Sequence, residues 1–287
     1  GPQGIQGTSG SVNAWSLLGS TGTIDGTNFI GSTDNVPFSI RVNNQKAGRI
    51  DPSLFNNFFG YQSGNSNSTG SRNSASGYRS LYSNTSGSVN TANGNSSLYF
   101  NTTGSENTAN GNAALYFNTS GNYNSAFGDY ALYSTNTGIM NTASGTSALR
   151  LNTTGSNNTA NGYNSLYSNT TGSQNTANGS YALALNTTGY NNTANGNQAL
   201  YRNTTGYYNT ANGSYSLYSN TTGNNNTANG TSSLNSNTTG SQNTANGSYA
   251  LTLNTTGGYN TANGNNSLYS NTTGGYNTAN GSYALTL

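Results

Sequence analysis

The sequence predicts an all-β chain, a β-solenoid in which one seventeen-residue repeat makes one coil. Three observations carry this. "NTANGNAALYFNTSG" at 107–121 restates "NTANGNSSLYFNTTG" at 90–104, and nearly the same words return to the end of the sequence. Glycine holds two places in every repeat, and a fixed short period means stacked units. Apolar residues nowhere keep the three-and-four spacing of a helix face, and two glycines per seventeen residues would be costly in one.

Three zones follow in order. Residues 1–10, "GPQGIQGTSG", place glycine at 1, 4, 7 and 10, the Gly-x-y pattern of a collagen triple helix. A glycine-rich linker has the same composition, but the triple-helix reading makes the protein a trimer. Residues 11–55 hold the sole tryptophan, Trp15, with Pro37, Pro52 and six of the twelve charges. "FSIRVNN" at 38–44 alternates like a half-buried strand, so this zone reads as a small β adaptor. From Asn56 the period is seventeen, with thirteen full repeats through 276 and a partial one over 277–287. The apolar surface offered by each repeat is small, which calls for a second buried face through association.

Within a repeat, counted from the asparagine of "NTANG", glycine stands fifth (Gly111, Gly162) and fifteenth (Gly121, Gly172). Both are expected in turns of positive φ, which glycine adopts without steric cost. The stretches between them, "NTA" and "ALYFN", are each long enough for a strand. A repeat therefore reads as strand, Gly turn, strand, Asn-Thr-Thr-Gly turn. Alanine at the third place and leucine at the ninth should point inward, as at Ala109, Leu115, Ala160, Leu166, Ala177, Leu183, Ala211 and Leu217. The small Ala/Ser at the eighth place is the candidate for a common subunit axis. Asparagine holds the first place throughout and the twelfth in all repeats but one, where Thr135 stands and Asn136 has slipped by one. Stacked asparagines can bond one another's amides along the coil.

Composition narrows the function. Only 4% of residues are charged and the net charge is +2, with Arg72, Arg79, Arg150 and Arg202 facing Glu106 and Asp129 in the repeats. No basic stripe exists to follow a nucleic-acid backbone, and no apolar run invites membrane insertion. There is no cysteine or histidine, and the five carboxylates are scattered, so neither an enzyme, a cofactor nor a metal-loaded roll is expected. Tyrosine is the suggestive residue. It recurs at the seventh place in alternate repeats (Tyr181, Tyr215, Tyr249, Tyr283) and unbroken at the tenth from Tyr82 through Tyr99 and Tyr116 to Tyr133. Exposed tyrosines suit adhesion and sugar stacking; they equally suit a subunit seam. Rows of threonine suggest ice binding as an alternative, although Ser125 breaks the row. N-T-[ST] sequons at Asn101, Asn152, Asn169, Asn186, Asn203, Asn220, Asn237, Asn254 and Asn271 mark glycosylation positions if the chain passes through a secretory pathway.

The repeat "NTANGxxALYxNTTG" resembles those of fibrous surface proteins and phage-type tail-fibre proteins of bacteria. The segment "GTIDGTNFIGSTDNVPFSIRVNNQKAGRI" is similar to the stretch that precedes such repeats in that group. More distantly, "NTANG" is similar to the strand motif in the head repeats of trimeric autotransporter adhesins. The resemblance implies an extracellular, cell-surface or virion fibre built from homotrimers. Its expected partners are further copies of itself, as trimer or longer filament, and a cell-surface glycan or host receptor.

Overall fold

The computed structural model describes residues 30–286. The Gly-x-y segment and Trp15 lie outside the described residues. What is described is an all-β solenoid of about thirteen coils with one sheet running its length and no helix.

The adaptor contributes β1 (Phe38–Val42) and β2 (Gln45–Asp51), an antiparallel hairpin turned by Asn43 and Asn44, both at positive φ. Asparagine tolerates that region better than most residues. Strand β1 forms as expected but is not half-buried, since Ile40 and Val42 are exposed. β2 pairs antiparallel with β3 (Asn56–Phe59), so the hairpin covers the first edge of the solenoid sheet. Two side chains fasten it. Lys46 Nζ donates to Asn65 O at 2.6 Å, and burial together with nearby Arg49 and Arg41 lowers the lysine's pKa. Buried Asp51 accepts from Arg49 at 2.9 Å and from the backbone N–H of Ser53 and Leu54.

β3 to β16 (Thr278–Asn280) then stack parallel and in register, seventeen residues apart, as in Thr176 beside Thr193 and Ala177 beside Ala194. From β4 (Ser74–Ser76) onward each coil has a single three-residue strand. The second expected strand, "ALYFN", does not form; that stretch is a chain of turns. The reason lies in side-chain direction. Ala114 and Leu115 are adjacent and both fully buried. A strand points successive side chains to opposite faces, so it cannot bury both. The leucine takes left-handed backbone instead, with φ between +48° and +52° at all thirteen leucines of that column. Such a conformation costs roughly 1–2 kcal/mol for an L-residue. It survives because neighbouring coils hold it: Leu115 N donates to Ala131 O at 3.0 Å in the next coil, while Ala113 N donates to Asn95 O at 2.8 Å in the previous one.

The two glycine columns have different causes. Gly111 (φ +142°) and Gly162 (φ +130°) occupy a region open only to glycine. Gly121 and Gly172 do not have positive φ, contrary to expectation. A Cβ on Gly121 would collide with Gly138 O of the next coil and with Asn118 Oδ1; one on Gly172 would collide with Gly189 O and Asn169 Oδ1. Close approach of backbones, not turn geometry, demands glycine there.

The interior holds the third-place alanines, the ninth-place leucines and both asparagine columns. Ala109, Leu115, Ala160, Leu166, Ala177, Leu183, Ala211 and Leu217 are all fully buried. So is the eighth place, including Ser97, Ala114 and Ala182, which removes it as a subunit axis. In the first asparagine column, Asn158 Nδ2 donates to Gly172 O at 2.9 Å within its coil and to Asn141 Oδ1 at 3.1 Å in the previous coil. In the other, Asn186 Nδ2 donates to Asn169 Oδ1 at 2.8 Å and to Gly189 O at 3.0 Å. Buried amides are thereby satisfied without charge. Among the described residues the side-chain exceptions are Asn118 Oδ1 and Thr135 Oγ1, on two successive coils where threonine interrupts the column.

Candidate binding surface

Three outward features could meet a partner. The first is an aromatic stack. The tenth place follows a left-handed leucine and so faces out, and the coil rise brings each tyrosine over the last. Tyr82, Tyr99, Tyr116 and Tyr133 stack near-parallel with centroids 5.0, 5.2 and 5.2 Å apart. Phe100 and Phe117 stack beside them at 5.4 Å, edge-on to the tyrosines. An arginine closes each end: Arg79 lies 5.6 Å from the Tyr82 ring and Arg150 5.7 Å from the Tyr133 ring. Burial within the stack, with Tyr133 and Tyr99 alongside, raises the pKa of Tyr116.

The second is the seventh-place column. Tyr215, Tyr249 and Tyr283 are exposed and Tyr181 is half-buried, all at φ between +57° and +59°. The structure does not join them into one surface, because each is separated from the next by a coil bearing Gln198, Ser232 or Asn266. Tyr181 packs edge-on against Tyr163 at 5.3 Å, and Tyr215 lies 5.8 Å from Tyr218 of its own coil.

The third is the strand face. Threonines from Thr142 to Thr278 stand in register, and beside them Asn161 to Asn280 form an outer amide ladder with Nδ2 to Oδ1 distances of 2.8–2.9 Å. Ser125 and Phe127 interrupt the two columns in the same coil.

The sequon asparagines are not on the surface. Asn101, Asn152, Asn169, Asn186, Asn203, Asn220, Asn237 and Asn254 are fully buried, and each Nδ2 donates within the coil. Asn271, in the last full repeat, is partly covered. A glycan on any of the eight would have to replace an interior hydrogen bond, which is incompatible with the described coil. These residues are turn and ladder elements, and only the register between coils distinguishes the two roles. Among the described residues no three His, Cys, Asp or Glu side chains come together.

No family model matches this chain, and neither a curated protein nor a solved structure gives a match.

Proposed function

We propose that this chain is the shaft of an extracellular, non-enzymatic fibre with a structural and adhesive role, on a cell surface or as a virion tail fibre, assembled as a homotrimer. The observation that supports it best is the unbroken in-register stack from β3 to β16, held by uncharged interior ladders rather than by a globular core. Such an arrangement gains length by adding coils, which suits a spacer. The Gly-x-y lead and the resemblance to trimeric fibres favour three chains. With the eighth place buried, the subunit contact falls to the seventeenth place, where Val89, Tyr123, Met140, Tyr208 and Tyr259 leave 47–53% of their surface exposed. Light scattering tests this: the expected mass is near three chains, and a mass of one chain refutes the trimer. Solution scattering should show a rod with a repeat region of roughly 65 Å at the usual strand spacing.

Ice binding is the second reading, favoured by the threonine run from Thr142 to Thr278. Ser125 and Phe127 stop that face one coil before Thr142, so it does not run the length of the sheet. No thermal hysteresis is expected at micromolar protein, and a clear positive would reverse the ranking.

A further inference from the structure

The tetrapeptide Thr-Ala-Asn-Gly occurs ten times, with its asparagines running from Asn93 to Asn280 at the ends of the strands. Asparagine before glycine is the dipeptide most prone to lose its side-chain amide, because glycine has no Cβ to hinder attack by its own nitrogen. Ten identical sequences would react alike in an unfolded chain. The fold makes them unequal. Each glycine nitrogen is tied in the same way, as Gly111 N to Asn93 O at 2.9 Å and Gly196 N to Asn178 O at 2.8 Å. The side chains are not. The six from Asn178 to Asn263 each donate through Nδ2 to the next coil and accept through Oδ1 from the previous one. Asn93 and Asn161 begin their ladders and donate only. Asn110 ends its ladder. Its Oδ1 accepts from Asn93 at 2.9 Å, while Phe127 stands in register in the next coil and offers Nδ2 no acceptor.

The same boundary interrupts the interior. Between the coils 107–123 and 124–140, Asn118 Oδ1 finds no partner because Thr135 replaces asparagine. Asn124 Nδ2 donates to Gly138 O but lacks the second bond, to the previous coil, that Asn141 Nδ2 makes to Asn124 Oδ1 at 3.1 Å. All three amide columns thus lose their link between side chains at one seam. Main-chain bonds such as Gly128 N to Asn110 O at 2.8 Å still cross it. Local opening is drawn from places with few such links.

We infer that Asn110 is a modification site, converting to aspartate or isoaspartate ahead of neighbours with the same local sequence. The Gly111 nitrogen, freed of its proton by hydroxide, attacks Asn110 Cγ and closes a five-membered succinimide ring. The Cγ–Nδ2 bond breaks, and the nitrogen takes up a proton and leaves as ammonia. Water then opens the ring at either carbonyl, so the sum is amide plus water to acid plus ammonia. At Asn110 a single ladder bond has to break, and the leaving nitrogen is already free. Asn93 and Asn161 also break one bond, but theirs holds the leaving nitrogen. At the six interior positions two must break. One net hydrogen bond corresponds to about a fivefold difference in rate. The product matters to the rod, because isoaspartate adds one carbon to the main chain of a three-residue strand where the ladders are already broken.

The full chain is aged in mildly alkaline buffer, with circular dichroism to verify that it stays folded. Each Asn-Gly is followed by chymotryptic peptide mapping with fragment mass spectra. Asn110 is expected to convert about fivefold faster than the six interior asparagines, and the difference should vanish once denaturant has unfolded the chain. Phe127→Asn supplies the missing acceptor and should slow Asn110 to the interior rate. Phe127→Ala removes the ring without supplying an acceptor and should leave it fast. Thr135→Asn repairs the inner ladder across the seam and should slow Asn110 without touching its strand, which keeps the inference testable if a change at Phe127 disturbs folding. Equal rates at Asn110 and the interior positions of the folded chain overturn the inference. So does an inequality that persists in the unfolded chain, which would assign it to local sequence, or an Asn110 rate that neither ladder repair alters.

Discussion

Phe58 and Gly64 exchange the volumes that alanine and leucine hold in the coils that follow. Phe58, at the third place, is 3% exposed, and its ring lies where a ninth-place side chain would begin: a Cβ on Gly64 would fall 2.6 Å from Phe58 Cγ. Gly64 nevertheless keeps the left-handed backbone of its column, with φ +57° against +52° at Leu81. The first coil thus preserves the interior by a compensating pair.

Breaking that pair on one side should be costly. Phe58→Ala leaves a cavity beside Gly64 and is expected to destabilise the first coils by about 3–5 kcal/mol. Adding Gly64→Leu restores the pairing of the later coils and should recover most of the loss. Hydrogen exchange of residues 56–90 reads both changes, and a double variant no better than the single would refute the exchange of volumes.

Thr135 is the place to strengthen the rod. An asparagine there would donate to Asn118 Oδ1, now unpaired, and would offer Oδ1 to Asn152, joining two ladder segments into one. Removing buried unsatisfied groups should stabilise this region by about 1–2 kcal/mol. Thr135→Asn is expected to slow amide exchange between residues 118 and 152. Faster exchange there would show that Asn136, which accepts a hydrogen bond from the Thr119 hydroxyl, has set a different local geometry.

Leu166→Asp and Asn225→Asp separate inside from outside. Leu166 is fully buried, and an aspartate there would place an unpaired charge among alanines and leucines, at a cost above about 4 kcal/mol. Asn225 is exposed with φ +57°, a conformation that aspartate accepts readily, and its change should stay within about 0.5 kcal/mol. Limited proteolysis should cut the first variant and spare the second. Equal resistance would contradict the inward leucine column.

Acid should loosen the N-terminal cap first. Burial pushes the Asp51 carboxyl up, but hydrogen bonds from Arg49 and from the N–H of Leu54 and Ser53 outweigh it and hold the pKa below the ordinary value of 3.8. A carboxylate whose pKa is lower folded than unfolded stabilises the fold above its unfolded pKa, and the contribution disappears as pH falls through the folded one. Exchange of β2 amides should therefore accelerate below about pH 4, and Asp51→Asn should remove that dependence. A pH-independent hairpin in the unaltered chain would overturn this.

Much of the architecture could be read directly. The seventeen-residue period required stacked coils, and stacking in register necessarily aligns Ala160 with Ala177 and Asn169 with Asn186. Inward alanine and leucine, and amide ladders made without charge, follow from one residue type recurring at one place. The tyrosine columns were visible for the same reason.

Tertiary structure decided which way individual residues turn. Leucine at φ near +50° contradicts local preference, and only the hydrogen bonds made to the coils before and after impose it. That same reversal buries the eighth place, withdraws "ALYFN" from the sheet and leaves the tenth place outside. Gly121 is glycine because of Gly138 in the next coil, and Asn101 is interior because its amide meets Asn84 and Gly104. A local stretch of sequence does not contain the neighbours that fix its backbone, so periodicity determined the stack while contacts between coils determined each residue's face.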